Sequence, residues 1–179
     1  MTEPQRRLIS PGGIAARQHL TQLLANVWVA EAIRPGEFLV IASPVLSDCP
    51  ALDNRGGEFS TWDSRWGERV LRLSELVLRV LSQGGSTWLI TRRQADGPNR
   101  FLCRIRESAG EAGFAARLRT AEVDTLPAAG VFGVGYSVTG AIAFADSGPD
   151  FLGEAISFEF HPAVNSRSHV QDKFGGLLT

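Results

Sequence analysis

Histidines, cysteines and serines are the side chains from which a chain of 179 residues would ordinarily build nucleophilic or acid–base chemistry, and here they are sparse and scattered. His19, His161 and His169 are not followed at metal-ligand spacing by a second His or Cys, and a surface or capping role explains each of them better. Cys49 and Cys103 fall in different elements without metal-like spacing and read as core or surface thiols. Ser43, Ser47 and Ser74 lack the strand-turn-helix context of a nucleophile elbow. In Gly133-Val-Gly135-Tyr-Ser-Val-Thr-Gly140 the third glycine comes seven residues after the first, not five, so a turn between strands accounts for them better than a dinucleotide loop. No metal and no cofactor is expected.

Charge and aromatic side chains offer more. Arg92 and Arg93, with Arg100, Arg104 and Arg106, form the densest basic cluster, and Arg55, Arg65 and Arg69 form a second. Guanidinium groups hold phosphates bidentately, so Arg92, Arg93, Arg100 and Arg55 are the candidate phosphate contacts. The competing account is a solvated face balanced by Asp96, Glu107 and Glu111. Trp62 and Trp66 interleave with Asp48, Asp53, Glu58 and Asp63 in a long loop, where they either serve a partner interface or cap the protein's own core. Asp53-Asn54-Arg55 is expected to shape that loop through local hydrogen bonds.

The segment Thr125-Leu-Pro-Ala-Ala-Gly-Val-Phe-Gly-Val-Gly-Tyr-Ser-Val-Thr-Gly-Ala-Ile-Ala-Phe144 resembles the signature of the phospholipase D-like superfamily with its reactive side chains removed. That signature is a His, a Lys two residues on, often an acid five further, then Gly-Ser-x-Asn. Pro127 stands at the His, Ala129 at the Lys, Val134 at the acid, Ala141 at the Ser and Ala143 at the Asn, while Gly130 and Gly140 keep the backbone pattern. In the superfamily the His is the nucleophile and a second His, from another motif copy, protonates the leaving group. Lys and Asn stabilise the phosphoryl oxygens. Proline and alanine offer no nucleophile, donor or charge, and no His-x-Lys occurs anywhere in the chain. The resemblance therefore implies no catalytic residues of the usual kind. The alternative is a homodimeric phosphodiesterase or nuclease with a non-standard site, for which His161 and Glu154 are the candidate acid–base groups.

Phe38-Leu-Val-Ile-Ala-Ser-Pro-Val-Leu-Ser-Asp48, Arg72-Leu-Ser-Glu75, Thr87 to Arg92, Asp53-Asn-Arg-Gly-Gly57 and Trp66-Gly67 extend the likeness. Together they are most similar to the small phospholipase D-like component of bacterial gene clusters that insert 7-deazaguanine into DNA and restrict unmodified DNA. The implied role is a catalytically degenerate subunit of a DNA restriction or anti-phage complex, scaffolding or regulating a larger helicase or nuclease partner. A single motif copy also implies a homodimer or hetero-assembly. A plain structural domain that binds no nucleic acid is the third reading.

The positioning elements follow from periodicity. With 44% hydrophobic and 21% charged residues, the chain suits one buried α/β core. A net charge of −1 makes any DNA contact local and weak. No leader pattern opens the sequence and no apolar run reaches the roughly 18 residues of a membrane helix, so a soluble, cytoplasmic protein with no membrane partner is expected. Residues 1–13 read as a flexible arm and 14–179 as a single phospholipase D-like domain, a mixed sheet with helices on both faces. Helices are expected over 14–33, 71–81, 99–112 and 162–174. Strands are expected over 38–42, 87–91, 117–123, 129–133, 136–144 and 155–160, with a long loop over 43–67.

Overall fold

The computed structural model describes residues 5–153, 155–160 and 163–177. In chain order the elements are β1 (Gln5–Ile9), α1 (Ile14–Ile33), β2 (Phe38–Ser43), β3 (Pro50–Asp53), β4 (Val70–Arg72), α2 (Leu73–Ser82), β5 (Ser86–Arg92), α3 (Arg100–Glu111), β6 (Leu118–Val123), β7 (Gly130–Gly133), β8 (Tyr136–Thr139), β9 (Ile142–Ala145), β10 (Gly148–Phe151), β11 (Ile156–Phe160) and α4 (Ala163–Phe174).

Every residue of β2 is buried, as a continuous apolar run requires of a strand covered on both faces. It lies inside a seven-stranded sheet of order β1-β11-β8-β7-β2-β5-β6. β2, β5 and β6 are parallel, joined through α2 and α3, whereas β7, β8, β11 and β1 add on antiparallel. The parallel half follows the alternating βαβ part of the sequence and the antiparallel half its glycine-punctuated part.

Side-chain alternation sends the two faces into separate cores. Leu39 and Ile41 pack with Leu24 and Trp28 of α1, Leu76 and Val80 of α2, and Leu102 and Ile105 of α3. Phe38, Val40 and Ala42 point the other way, to Ile90, Phe132, and Val170 and Phe174 of α4. Helices thus cover both faces of a mixed α/β sheet, as expected.

Local chemistry fixes the helix starts. The Asn99 carboxamide oxygen accepts from the Leu102 amide at 3.0 Å, and its nitrogen donates to the Leu46 carbonyl at 2.8 Å, tying the start of α3 to the loop after β2. Glu75 accepts from the Arg72 amide at 2.9 Å at the start of α2.

Three features depart from the sequence reading. Gln5–Ile9, within the stretch expected to be an arm, forms an edge strand paired to β11 from Gln5 opposite Phe160 to Ile9 opposite Ile156. Three of its five residues are polar and four are exposed, so it gives little apolar signal. The run 136–144 is broken at Gly140 into β8 and β9, and β9 leaves the main sheet to pair with β10. The long loop contains β3, which pairs antiparallel with β4 just beyond the loop's end.

Candidate functional site

The hairpin β7–β8 begins where β2 ends, because Gly130 pairs with Ala42 on one side and Thr139 on the other. Pro127 and Ala129 are thereby delivered to the carboxyl end of a parallel strand, the usual place for a ligand in an open α/β sheet. The Gly140 amide donates to the Ala129 carbonyl at 3.1 Å, and the Leu152 amide to the Ala141 carbonyl at 2.7 Å. A Cβ on Gly153 would lie 3.3 Å from the Ala141 methyl. Ala129, Gly130, Gly140, Ala141 and Gly153 therefore lie close together, and none of the five carries a side chain longer than a methyl group.

The two glycines are required by the backbone. Gly130 and Gly140 both have φ of 149°, a region closed to other residues. A Cβ on Gly130 would stand 2.1 Å from the Val138 carbonyl oxygen, and one on Gly140 would stand 2.5 Å from Ile156 Cδ1. Of the other substituted positions, Ala143 is buried in β9 at 4% exposure. Val134 lies in the turn at the far end of the hairpin, packed over Gly36. Pro127 is exposed. The structure brings Ala129 and Ala141 together and leaves Val134 apart.

Ser43 is fully buried; its hydroxyl bonds to the Val45 and Ile142 carbonyls, the latter at 2.9 Å, and accepts from the Phe144 amide at 3.3 Å. That hydroxyl locks β2 to β9 and has no freedom to attack. Burial pushes the Cys49 thiol up to about 12, which suppresses its thiolate. His161 and Glu154 lie outside the described residues.

The arginines divide by their partners. Arg55 closes a fork on Asp53 at 3.0 and 2.6 Å, holding that carboxyl down at about 2. Arg65 pairs with Asp63 at 2.8 Å and Arg69 with Glu75 at 2.6 Å. The second basic cluster is thus compensated by its own acids. In the first, Arg93 reaches Asp124 at 3.3 Å, whereas Arg92 and Arg100 are exposed. Arg92 follows Trp88 and Ile90 on the α4 side of β5, so it faces away from Arg100 on α3.

The long loop is shaped as its polar triplet suggests. Asn54 is 1% exposed, donates to Ser60 Oγ at 3.0 Å and to the Gly67 carbonyl at 2.5 Å, and accepts from the Phe59 amide at 2.8 Å. Asp63, held below the usual carboxylate range by Arg65, also lies 3.2 Å from Arg79 of α2. This loop packing puts Trp66 into the protein's own core at 5% exposure and leaves Trp62 at 65%. Of that pair, Trp62 is the one left exposed. A contact the sequence reading missed is that of Tyr136, whose hydroxyl donates to Glu31 at 3.0 Å; its partners lie 105 residues apart, beyond any local pattern.

No protein-family model matches this chain, and no characterised protein matches it by sequence. Solved structures resemble it in fold. The chain is similar to polyphosphate kinase from Porphyromonas gingivalis, with a TM-score of 0.53 and 7% identity over 97% of this chain and 26% of the kinase. It is also similar to the archaeal chromatin protein TrmBL2, with a TM-score of 0.46 and 6% identity over 94% of this chain and 50% of that one. A third likeness is to phosphatidylserine synthase of Haemophilus influenzae Rd KW20, with a TM-score of 0.42 and 11% identity over 95% of this chain and 37% of that one. The kinase and the synthase are phospholipase D-like superfamily members. This chain spans half or less of each neighbour's length, and at these identities the likeness is one of fold.

Proposed function

We propose that this chain is a catalytically silent phospholipase D-like subunit of a bacterial DNA restriction or anti-phage assembly, where it scaffolds or regulates a larger helicase or nuclease. The observation that carries the reading is the grouping of Ala129, Gly130, Gly140, Ala141 and Gly153 near the carboxyl end of β2. Gly130 and Gly140 preserve a backbone geometry that only glycine tolerates, yet Pro127, Ala129 and Ala141 supply no nucleophile, donor or charge beside it. A fold shared with polyphosphate kinase supports the ancestry. The resemblance of residues 38–48 and 53–57 to the small component of 7-deazaguanine DNA-modification clusters supports the setting. Exposed Trp62 is the side chain best placed to anchor a partner, and Arg92, Arg93 and Arg100 are the contacts offered to DNA.

The test is affinity purification of the chain from cells that express its native gene neighbourhood, followed by mass spectrometry. A co-purifying helicase or nuclease, lost with Trp62→Ala, is the expected result. Recovery as a bare homodimer with metal-independent phosphodiesterase activity that His161→Ala abolishes would overturn the reading.

A further inference from the structure

Between the loop after β2 and the first turns of α3 lies a cavity of about 310 Å³ lined by Arg72, Arg100 and Arg104 together with Asp48, Asn99 and Asp146. None of Pro127, Ala129, Val134, Ala141 and Ala143 lines it. Its charges do not balance. Arg72 is held by Asp48, Nε to Oδ2 at 3.2 Å and a further bond from its terminal nitrogen to the Asp48 carbonyl. Asp48 also accepts from the Ser74 amide at 3.0 Å, so this pair is internally satisfied. Arg100 and Arg104, four residues apart, project from one face of α3 and are both exposed. Neither forms an ion pair among the described residues, and Asp146 is the remaining acid of the lining. Two guanidinium groups against one carboxylate leave a single uncompensated positive charge in a concave site.

We infer that this cavity is an anion site that seats one phosphodiester of a single-stranded DNA backbone, with Arg100 and Arg104 as the phosphate contacts and Arg72, fixed by Asp48, as a wall of set position. A phosphodiester carries one negative charge, which matches the excess; free inorganic phosphate carries more and meets Asp146 with greater repulsion. The inference rests on the proposed DNA contact and gives it a place.

The experiment is fluorescence anisotropy of the full chain with a labelled oligodeoxythymidylate across a salt series, with inorganic phosphate as competitor. Removing both guanidinium groups in Arg100→Ala/Arg104→Ala should weaken binding by about tenfold or more, and should flatten the dependence of log K on log salt by about 0.7 for each phosphate left without its arginine. Asp146→Asn should shift affinity in the opposite direction, which a merely destabilised variant would not do. If Arg92→Glu/Arg93→Glu abolishes binding while the α3 variants leave it intact, the cavity assignment fails and the DNA contact stands. If the wild-type chain binds no oligonucleotide at low salt, both fail. If inorganic phosphate binds through Arg100 and Arg104 but the oligonucleotide does not, the site takes a free phosphate and the phosphodiester assignment is overturned.

Discussion

The Glu31 carboxylate sits 5% exposed near the end of α1, accepting from the Tyr136 hydroxyl and from the Gly36 amide, each at 3.0 Å. Burial disfavours its charged form more than these two bonds favour it, so its pKa lies above the ordinary 4.5. The sign of the consequence follows from linkage. A carboxyl whose folded pKa is raised contributes its full stability below the unfolded value and loses it as pH rises through the folded value. Glu31→Gln has no such titration. The variant should therefore gain on the wild type as pH rises from the ordinary carboxyl value of 4.5 through the raised folded value, whatever constant offset its amide introduces. Urea midpoints of both proteins at the two ends of that window measure this; a difference that stays constant with pH would remove Glu31 as a source of pH dependence. At this same scale much of the candidate site was legible. The absence of His-x-Lys needs no structure, and neither does the role of Asn54 in a turn-rich loop. The grouping of Arg72 and Asp146 around Arg100 was not legible, because their separation in sequence follows no helical or strand period.

Glycines decide where the elements of the second half begin and end, and their effects are opposite at different places. Gly130→Ala would force a methyl to within 2.1 Å of a carbonyl oxygen at a φ of 149°, and should cost more than about 3 kcal/mol. Gly110, inside α3, has nothing within 4 Å of where a Cβ would stand. Gly110→Ala should stabilise the protein by about 0.5–1 kcal/mol through helix propensity alone. Thermal or urea unfolding of the pair checks both signs, and a Gly130→Ala variant as stable as the wild type would show that the start of β7 is not held in this geometry. The same backbone needs explain which elements could be read beforehand. β2 is apolar from Phe38 to Ala42, β5 has an apolar centre from Trp88 to Ile90, and α2 and α3 have a strong apolar stripe, so each announces itself by composition and period. β1 is exposed along most of its length, and β3, β4 and β10 are only three or four residues long; none buries enough of one face to leave a pattern. The break at Gly140 was hidden because residues 136–144 carry one strand-forming run across it, and the need for a glycine there arises only from the tertiary position of Ile156 and Ala155.

The whole molecule has two cores of unequal depth. Three helices close the larger one, whereas α4 is the helix that closes the smaller, through Val170 and Phe174. The Phe174 ring stands edge-on to Phe132 with centroids 5.3 Å apart and is 1% exposed. Beside it the sheet stays open as a groove of about 560 Å³ along Phe38 and Trp88. With Val170 and Phe174 as the contacts of α4 among the described residues, this layer should be the first to separate, since local opening is governed by how much apolar surface must be uncovered. Phe174→Ala is expected to cost about 3–5 kcal/mol if α4 unfolds with the rest of the molecule. If α4 instead detaches alone, global stability should fall by less, while Phe38, Val40, Ala42, Ile90 and Phe132 become accessible and an apolar dye binds under native conditions. Amide exchange separates the two cases, because in the second the α4 amides exchange far faster than those of β2. A variant with unchanged stability, unchanged exchange and no dye binding would mean that α4 does not seal this face. The parallel half, with the carboxyl ends of β2 and β5, is held from the opposite side by α2 and α3. The arginine-lined cavity at α3 should therefore keep its shape, and the Phe174→Ala protein its oligonucleotide affinity, even when α4 has come away.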